Sequence, residues 1–523
     1  MSSSLDAVRP ETAPAATPWF RPAIHFTAAD TWLNDPNGLV FHNGLYHLFF
    51  QNNPYGNVWG NMSWGHATSP DLLHWTEHPV AIACDSTEDI FSGSVVVDHG
   101  NTSGFGSAAA PALVAVYTSA FKDTSAHSGT QAQSLAYSTD GGMTWRKYSG
   151  NPVLTRHSAH FRDPKVFLYE GDACTYWVMA AVEAQQQKVV FYRSEDLKSW
   201  DFLSDFGPAN ADEGEWECPD LFPLEVDGDP DNVKWVLIVN VNPGAVAGGS
   251  GGQYFVGAFD GVSFVADADS LVAPSGLASL RDPSAQAAAL QQSLWLDWGR
   301  DCYASVSFSN APDGRRIIIG WMNNWDYANH LPTSPWRSSM TLARELRLSN
   351  DSGVPRLVQQ PVLPAFQDRG LPWTEGSLEL ADSSVKLPDA ASGRAQVIEA
   401  EILLGTAERL GFTLLESSDH SLALGTVLRY DTATARLTLD RTQSGDTGFH
   451  AKFASVESVQ VAPVDGVLKL LVVVDHASVE VFAQDGTAVL TDLVFPHPGQ
   501  TSNRLVVEGG TATVLKLTVS ALA

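Results

Sequence analysis

The sequence predicts an all-β protein in two parts, a five-bladed β-propeller followed by a β-sandwich. Three observations lead to this fold class. Short runs of β-branched and aromatic residues alternate with Gly, Asn, Asp and Pro turns over most of the chain. A turn that ends in tryptophan recurs in the first half. From about Gly376 onward the alternation continues without that tryptophan, which is typical of a sandwich.

Length and composition set the boundaries of the two parts. The chain has 523 residues, too many for one ordinary domain and enough for two. The composition changes near residues 350–355, and the irregular stretch continues through prolines at 361 and 364. We therefore expect a flexible tail at 1–18, the propeller at 19–346, a linker at 347–370 and the sandwich at 371–523.

The charge balance narrows the class of partner. The chain carries 31 basic and 59 acidic residues, so its formal net charge is −28. This charge disfavours nucleic acids and anionic membranes. We expect a neutral or cationic ligand, and the sequence favours no particular oligomeric state.

Cysteine usage and the N-terminus bear on metal binding and location. The four cysteines stand at 84, 174, 218 and 302, without a Cys-x-x-Cys or Cys/His cluster, so we expect no metal site. No apolar run approaches the length of a membrane span. Residues 1–18 lack the apolar segment of an intact signal peptide. We expect a secreted protein whose signal peptide has been removed, while a cytoplasmic location stays open.

Hairpins dominate the first half of the chain. An Asn43-Gly44 turn joins two apolar runs and predicts a β-hairpin. A Ser–Asp turn followed by a tryptophan occurs at 69–75, 138–145 and 194–200, with a looser copy at 259–264. Repeats at this spacing are typical of a propeller, whose blades are four-stranded sheets. The clearest helical pattern covers about 284–294.

Each blade should begin with a strand that lines the central channel. Candidate first strands lie near five polar residues: Asp35, Ser92, Asp163, Glu217 and Asp297. Their spacings suit one blade with its loops, and five blades fit before about residue 346. Because these strands converge on the axis, the fold would bring the five motifs into one site.

Three of these acids form a candidate catalytic set. Two carboxylates across a polar pocket suffice to cleave a glycosidic bond, because one attacks the anomeric carbon and the other protonates the leaving oxygen. Asp35, Asp163 and Glu217 would supply such a set, with Arg162 as the local cation. The longer Glu217 side chain suits a group that reaches the leaving group and later a water molecule.

Aromatic residues accompany these acids, as in pockets that bind the CH faces of a sugar. They are Trp59, Trp64, Phe91, Trp216, Tyr303 and Trp321. Taken singly, each aromatic residue is more often part of the core. We assign the tryptophans of the repeated turns to blade packing.

Other acids and the nearby thiol have simpler interpretations. Three acids before Glu217 are interpreted as a solvated loop face: Asp212, Glu213 and Glu215. Cys218 is interpreted as a buried spacer, since nothing beside it in sequence would activate a thiol. Asp297 and Asp301 either join the site or form salt bridges with Arg300 or Arg337.

Eight short motifs occur in order along the chain. They are Trp-Leu-Asn-Asp-Pro-Asn-Gly at 32–38, Gln-Asn-Asn-Pro at 51–54, Trp-Gly-His at 64–66, Phe-Ser-Gly-Ser at 91–94, Phe-Arg-Asp-Pro at 161–164, Glu-Cys-Pro-Asp at 217–220, Leu-Asp-Trp-Gly-Arg-Asp at 296–301 and Gly-Trp-Met-Asn-Asn-Trp at 320–325. In this order they resemble glycoside hydrolase family 32, the invertase, inulinase and levanase group. The segment 474–482 is similar to a sandwich strand of the same family. The resemblance extends from about Trp19 onward.

The resemblance implies a retaining hydrolase with a propeller and a sandwich. We expect no metal and no cofactor, because no Cys/His ligand set is present and carboxylates alone suffice for the chemistry. Asp35 looks like the nucleophile, Glu217 like the acid/base and Asp163 like the residue that stabilises the transition state. Eight further residues fall where the family lines its fructose pocket: Asn34, Gln51, Trp59, Phe91, Ser92, Arg162, Tyr303 and Trp321.

The implied reaction is exo-hydrolysis of terminal β-D-fructosyl linkages in levan or inulin, with sucrose as a further candidate substrate. The segment 324–337 is similar to microbial exo-acting levanases and inulinases rather than to invertases restricted to sucrose. Asn52 and Trp298 depart from the family, in which tyrosine is common at both positions. The preference between β-2,6 and β-2,1 linkages therefore stays open.

Other functions also stay open. A fructosyltransferase or a disaccharide-releasing levanase would use the same site residues. A fructan-binding lectin would be favoured by the loss of Asp35 or Glu217, and both are present. The five-bladed arabinanase and xylosidase group also uses three acids, but the Asn-Asp-Pro-Asn-Gly and Glu-Cys-Pro motifs favour fructosides.

Overall fold

A computed structural model describes residues 17–107, 109–171, 174–364, 373–387, 394–417 and 424–522. Most of these residues lie in strands, and the described part contains one α-helix, α1 (Pro283–Gln292). The all-β fold class is confirmed, and α1 coincides with the expected helical pattern. Residues 1–16 of the expected tail and 365–370 of the expected linker lie outside the described residues.

The first three sheets consist of antiparallel strands in chain order. The first sheet contains β1 (Trp32–His42), β2 (Leu45–Asn53), β3 (Ser63–Ser69) and β4 (Thr76–Ile82). The second contains β5 (Glu88–Asp98), β6 (Ala112–Phe121), β7 (Gln131–Ser138), β8 (Arg146–Lys147) and β9 (Leu154–Ser158), the last two both paired with β7. The third contains β10 (Phe161–Glu170), β11 (Thr175–Glu183), β12 (Lys188–Ser194) and β13 (Asp201–Phe206).

The fourth and fifth sheets complete the five-bladed propeller. The fourth contains β14 (Glu215–Val226), β15 (Asp229–Asn242), β16 (Gly251–Phe259) and β17 (Phe264–Ala266). The fifth contains β18 (Tyr303–Ser307), β19 (Arg316–Met322), β20 (Ser339–Met340), β21 (Arg344–Ser349) and β22 (Arg356–Pro361). A single parallel bridge between Val226 and Leu348 joins the two sheets.

The repeated tryptophan turn connects the third and fourth strands of the first three blades. In each copy the indole N–H donates to a backbone carbonyl three residues earlier, at 2.9–3.1 Å. The tryptophans are Trp75, Trp145 and Trp200. The same side chain that packs against the blade therefore also closes its turn, which explains the repeat in the sequence.

The ring of blades closes between the first and fifth sheets. The Phe41 N–H donates to the Ser309 carbonyl at 2.9 Å, and the Ser309 N–H donates to the Leu39 carbonyl at 2.8 Å. Closure makes the innermost strands of the five blades one continuous wall around the axis.

A β-bulge interrupts the innermost strand of every blade. The register shifts lie between Leu33 and Pro36, Phe91 and Gly93, Arg162 and Lys165, Glu217 and Asp220, and Tyr303 and Val306. A bulge redirects side chains and allows pairing to resume beyond it. Each of the five bulges holds a candidate site residue: Asp35, Ser92, Arg162 with Asp163, Glu217 and Tyr303.

Two expectations about the fifth blade are wrong. Its first strand begins at Tyr303 rather than near Asp297, because residues 297–301 form an irregular segment that packs against the C-terminal domain. The sheet also continues past residue 346, since β22 pairs with β21 along Arg356–Pro361. The first part of the expected linker at 347–370 is therefore a strand of the propeller.

The described residues of the C-terminal domain contain eleven strands. They are β23 (Trp373–Glu375), β24 (Leu378–Lys386), β25 (Gln396–Leu403), β26 (Arg409–Ser417), β27 (Thr426–Asp431), β28 (Arg436–Asp440), β29 (Val456–Gln460), β30 (Val467–Asp475), β31 (Ser478–Ala483), β32 (Ala488–Leu493) and β33 (Gln500–Ala521). Strand β33 pairs with β26 through its first half and with β25 through its second half. Gly509 and Gly510 stand between the halves with φ of 69° and 146°, so the strand bends there and joins two layers around one apolar core.

A buried chain of ion pairs joins the two domains. Arg344 of the propeller contacts Asp297 at 2.9 Å and Glu480 of the sandwich at 2.6 Å. His25 lies between Glu480 and Asp475, with both ring nitrogens 2.7 Å from a carboxylate oxygen. The N-terminal segment is thereby held in the interface.

A second buried cluster lies beside the first. Asp301 pairs with Arg441 of the sandwich and accepts a hydrogen bond from the Tyr327 hydroxyl at 2.6 Å. Arg300 pairs instead with Asp326 at 2.7 Å. Asp297 and Asp301 thus form salt bridges, which was one of the two expectations for them. Their partners are Arg344 and Arg441, and the expectation of Arg300 or Arg337 is wrong.

The surroundings of His25 favour its protonated form. Burial alone would lower its pKa, but the hydrogen bonds and charges of Asp475 and Glu480 raise it to about 9. Burial would raise the pKa of each of these carboxyls, but their partners lower it to about 2. For Asp475 the partner is His25, and for Glu480 the partners are Arg344 and His25. The interface therefore holds a histidinium between two carboxylates.

We predict that this histidinium contributes stability that is lost at alkaline pH. The pKa of His25 is about 9 in the folded protein and about 6.5 in an unfolded chain. Its contribution is therefore complete below pH ~6.5 and falls as pH rises through 9, by up to about 3 kcal/mol. In urea unfolding, the stability difference between the wild type and His25→Gln should shrink from pH 6 to pH 10. A difference that is constant over this range would contradict the prediction.

Candidate active site

Three carboxylates from three blades meet at the axis. Asp35 stands at the bulge of β1, Asp163 at the bulge of β10 and Glu217 at the bulge of β14. Cys218 joins the set, because its thiol is 3.4 Å from Asp35 Oδ2 and 3.7 Å from Asp163 Oδ2. The structure thus brings together the three acids that the sequence separates by 182 positions from first to last.

Asp35 is held by two side-chain donors. The Ser92 hydroxyl donates to its Oδ2 at 2.7 Å, and the Asn34 amide donates to its Oδ1 at 3.1 Å. Asn34 is itself positioned by the indole N–H of Trp32, which donates to its Oδ1 at 2.7 Å. These contacts orient the carboxylate of Asp35 while its side chain stays partly exposed.

Asp163 is the most enclosed of the three acids. It is 5% exposed, and its Oδ2 accepts the backbone N–H of Cys218 at 3.0 Å. Its own N–H donates to the Thr118 hydroxyl at 2.9 Å. The residue has φ of 62°, a conformation that costs a non-glycine residue free energy and is often found at functional sites. Cys218, with φ of 44°, shares this feature.

Glu217 lies between a cation and a phenol. Arg162 donates from Nη2 to Glu217 Oε1 at 2.9 Å, and the Tyr303 hydroxyl donates to the other oxygen. Arg162 also pairs with Glu215 and approaches Asp163 Oδ2 at 3.8 Å. One guanidinium therefore faces three carboxylates.

Burial and crowding of negative charge shift the pKa values of the site. Burial, with the charge of Glu217, raises the pKa of Asp35. Burial raises the pKa of Asp163 to about 7; Arg162 opposes this shift, whereas Glu217 and Asp35 add to it. Burial and the surrounding carboxylates also raise the pKa of the Cys218 thiol and of the Tyr303 phenol well above their usual values. Cys218 is thus a neutral thiol, in agreement with its interpretation as a spacer.

The pocket is closed at its base, the end that faces the interior of the propeller channel. Below the acids, Asn37 accepts the Gly93 N–H at 3.2 Å, and Ser94 donates to the Pro164 carbonyl at 2.8 Å. Farther down the axis, buried Lys165 pairs with Asp220 at 3.0 Å. A ligand can therefore reach the acids only from the open end, where the inner strands begin.

Aromatic residues surround the open end. Trp321 is fully buried beside Trp32 and Trp325, at ring distances of 6.0 and 4.8 Å, and its indole N–H has no partner. On the other side, Trp59 is 46% exposed and lies 6.3 Å from the Phe91 ring. An unpaired buried donor and exposed aromatic faces suit a ligand with hydroxyl edges and apolar faces.

Most of the sequence-predicted site residues lie together at this end. Gln51 is buried and donates to the Ile90 carbonyl at 3.0 Å, next to Phe91 and Ser92. Trp64 and Trp216, however, are fully buried, and their indole N–H groups donate to the carbonyls of Phe91 and Ala211. These two tryptophans support the wall of the pocket rather than its surface.

The interpretation as a solvated loop face is wrong for two of the three acids, and one aromatic residue was missed. Asp212 is 9% exposed, and its Oδ1 accepts the Ala278 N–H at 2.9 Å. Glu215 belongs to β14 and pairs with Arg162, so it is not part of a solvated loop face. Its position two residues before Glu217 places both on the same side of a strand, a signal that the sequence contains. Trp325 was not singled out, although it ends the Gly-Trp-Met-Asn-Asn-Trp motif.

The described residues contain neither a metal-binding cluster nor a membrane-spanning helix. Within the part of the chain that the structure describes, no three or more His, Cys, Asp or Glu side chains are grouped to hold a metal ion. Among the same residues, no helix is long and apolar enough to cross a membrane.

A propeller whose closed axial pocket presents several carboxylates and aromatic walls defines a class of sugar-processing site. The sequence model of the glycosyl hydrolases family 32 N-terminal domain matches residues 25–361, and that of the family 32 C-terminal domain matches residues 373–521. The chain belongs to glycoside hydrolase family 32.

Several relatives are similar over nearly the whole chain. A levanase of Bacillus subtilis is 43% identical over 510 residues, covering 96% of this chain and 70% of the levanase. An extracellular exo-inulinase of Aspergillus ficuum is 38% identical over 533 residues, covering 96% and 94%. The crystal structure of exo-inulinase from Aspergillus awamori superposes with a TM-score of 0.87 at 38% identity, covering 96% of this chain and 98% of that one.

We predict that Asp163→Asn stabilises the folded protein at neutral and alkaline pH while it harms function. The folded pKa of about 7 exceeds the unfolded value of about 3.9, so the wild type loses stability as pH rises between them. Asparagine carries no charge and avoids this loss. Urea unfolding at pH 8 should show a more stable variant, and the gain should fade below pH 4.

Glu215→Gln is the matched control. The pKa of Glu215 is lowered, because the charge and hydrogen bond of Arg162 outweigh the effect of burial. Removing this charge should therefore change stability in the opposite direction at pH 8. A destabilised Asp163→Asn protein at that pH would show that Asp163 contributes net stability and would contradict the prediction.

Proposed function

We propose that this protein is an exo-acting β-fructosidase that hydrolyses terminal β-D-fructosyl linkages of fructans, with retention of configuration. The observation that carries the proposal is the convergence of Asp35, Asp163 and Glu217 on one pocket that is closed at its base. Membership of family 32 and the similarity to a levanase and to exo-inulinases support fructans as the substrate class.

In the proposed first step, Asp35 attacks the anomeric carbon of the terminal fructosyl unit. The bond from that carbon to the leaving oxygen breaks, and Glu217 gives its proton to this oxygen. Ser92 and Asn34 hold the attacking carboxylate through their hydrogen bonds. Because two donors fix its orientation, little entropy remains to be lost on reaching the transition state.

In the second step the roles of the two residues reverse. Glu217 takes a proton from a water molecule, whose oxygen attacks the same carbon and releases Asp35. Arg162 and Tyr303 keep Glu217 at the position that serves both steps. If a sugar took the place of water, the fructosyl unit would be transferred to that sugar. Hydrolysis and fructosyl transfer are therefore distinguished by their products.

Asp163 is proposed to bind hydroxyl groups of the fructosyl unit. It is buried, and its Oδ2 accepts the backbone N–H of Cys218. Binding a neutral sugar replaces water around a carboxylate that is already crowded by negative charge. The positive charge that develops on the fructosyl ring would then be stabilised by this carboxylate.

Exo-attack follows from the closed base of the pocket. One terminal unit fits against the axis, beside the buried Trp321, and the remaining chain must leave through the open end past the exposed Trp59. Secretion is proposed as well, since the similar Aspergillus enzymes are named as extracellular.

We predict that Asp35→Asn folds normally and loses nearly all activity, by about 10³-fold or more, because an amide is almost the same size but is not a nucleophile. Fructose release from levan, inulin and sucrose measures the loss. Asp313→Asn is a suitable control, since Asp313 is exposed and has φ of 58°, which asparagine tolerates. Wild-type turnover by a folded Asp35→Asn protein would refute the assignment of the nucleophile.

Digestion of levan or inulin should release a single small product, fructose, from the first minutes while the polymer shortens slowly. An early NMR time course should show the β anomer first, because two inversions give retention. A ladder of long oligosaccharides would indicate an open cleft, a disaccharide product a deeper pocket, and initial α-fructose an inverting mechanism. Each of these results would overturn the corresponding part of the proposal.

A further inference from the structure

The loop between β2 and β3 presents apolar side chains to solvent. Tyr55 is 77% exposed, Val58 48% and Trp59 46%. Such a concentration within five residues carries a solvation cost that folding does not require. Exposed aromatic groups of this kind are typical of surfaces that bind a ligand.

The loop is rigidly attached to the open end of the pocket. Asn53 accepts the Tyr55 N–H at 3.1 Å and donates to the Val58 carbonyl at 2.8 Å. The Gly56 carbonyl accepts the N–H of Trp32, the first residue of β1, at 2.9 Å. The exposed side chains are therefore held at the end of the strand that carries Asp35.

The loop also contacts the opposite side of the entrance. The Trp59 N–H donates to Asn329 Oδ1 at 3.0 Å, and Asn329 follows Trp325 in the segment between β19 and β20. Trp59 lies beside Phe91, at the pocket itself, whereas Tyr55 projects into solvent. Tyr55 thus stands four residues before Trp59 in the same loop and is the more exposed of the two aromatic residues.

We propose that Tyr55, with Val58, forms a saccharide-binding platform for the part of a fructan chain beyond the first leaving sugar. This inference rests on the proposed function, because it assigns the outer contacts of the same substrate. An exposed ring offers a flat apolar face to the CH groups of a sugar and a hydroxyl to its edge. A pocket closed at its base directs the chain outward over this loop.

The platform should matter for long substrates and not for sucrose, whose leaving group is one sugar. In Tyr55→Ala, KM for levan or inulin should rise about three- to ten-fold, with kcat nearly unchanged, since binding rather than the transition state is affected. KM for sucrose should change by less than about two-fold. Tyr55→Phe keeps the ring and should resemble the wild type.

Phe202→Ala is the matched control, because Phe202 is 53% exposed on β13, an outer strand of the third blade. It should change neither KM. Equal effects of Tyr55→Ala on sucrose and polymer, no effect on either, or the same effect from Phe202→Ala would overturn the platform.

A binding experiment separates this inference from the proposed function. Titration of a levan or inulin oligosaccharide into Asp35→Asn, by calorimetry, needs no turnover. The added Tyr55→Ala substitution should weaken this binding by a similar factor, and unchanged binding would contradict the platform. Failure of the wild type to release fructose would instead refute the proposed hydrolysis and leave the binding result to decide on Tyr55.

Discussion

The accumulation of negative charge at the propeller axis is the constraint on which the rest of the structure depends. Asp163, Glu215 and Glu217 lie around a single guanidinium, that of Arg162, and Asp35 lies beside them within the electrostatic reach of Glu217. Such an arrangement is unfavourable, because burial first and the charges of neighbouring carboxylates second raise the pKa values of Asp35 and Asp163. It persists only if the surrounding framework does not relax, and the closed ring of blades supplies that framework.

Bulges reconcile this site with the regular pairing of the sheets. An inner strand with uninterrupted alternation would direct neighbouring side chains to opposite faces. The shifts at Glu217 and at Arg162 interrupt the alternation where the acids stand, and pairing resumes three residues later in both strands. The left-handed backbone of Asp163 and Cys218 is a local cost of this geometry, which the stable strands beyond it offset.

The sandwich supports the propeller from outside the site. Its Arg441 and Glu480 bind Asp301 and Arg344, which belong to the fifth blade and the segment that leads into it. Lys452 pairs at 2.6 Å with Asp326, next to Trp325 at the pocket entrance. The C-terminal domain therefore helps to hold the rim of the pocket, although it supplies none of the three acids.

The sequence by itself determined the fold class, the number of blades and the three acids. These features depend on local signals: alternation of apolar residues, a turn with its own tryptophan, and acids beside Pro and Gly in short motifs. The tertiary structure decided the rest, because pairs such as Glu215 with Arg162 and Asp297 with Arg344 join positions far apart in the chain. The same applies to Trp64 and Trp216, because neighbouring blades bury them. It applies also to residues 356–361, which form a strand through their pairing with β21.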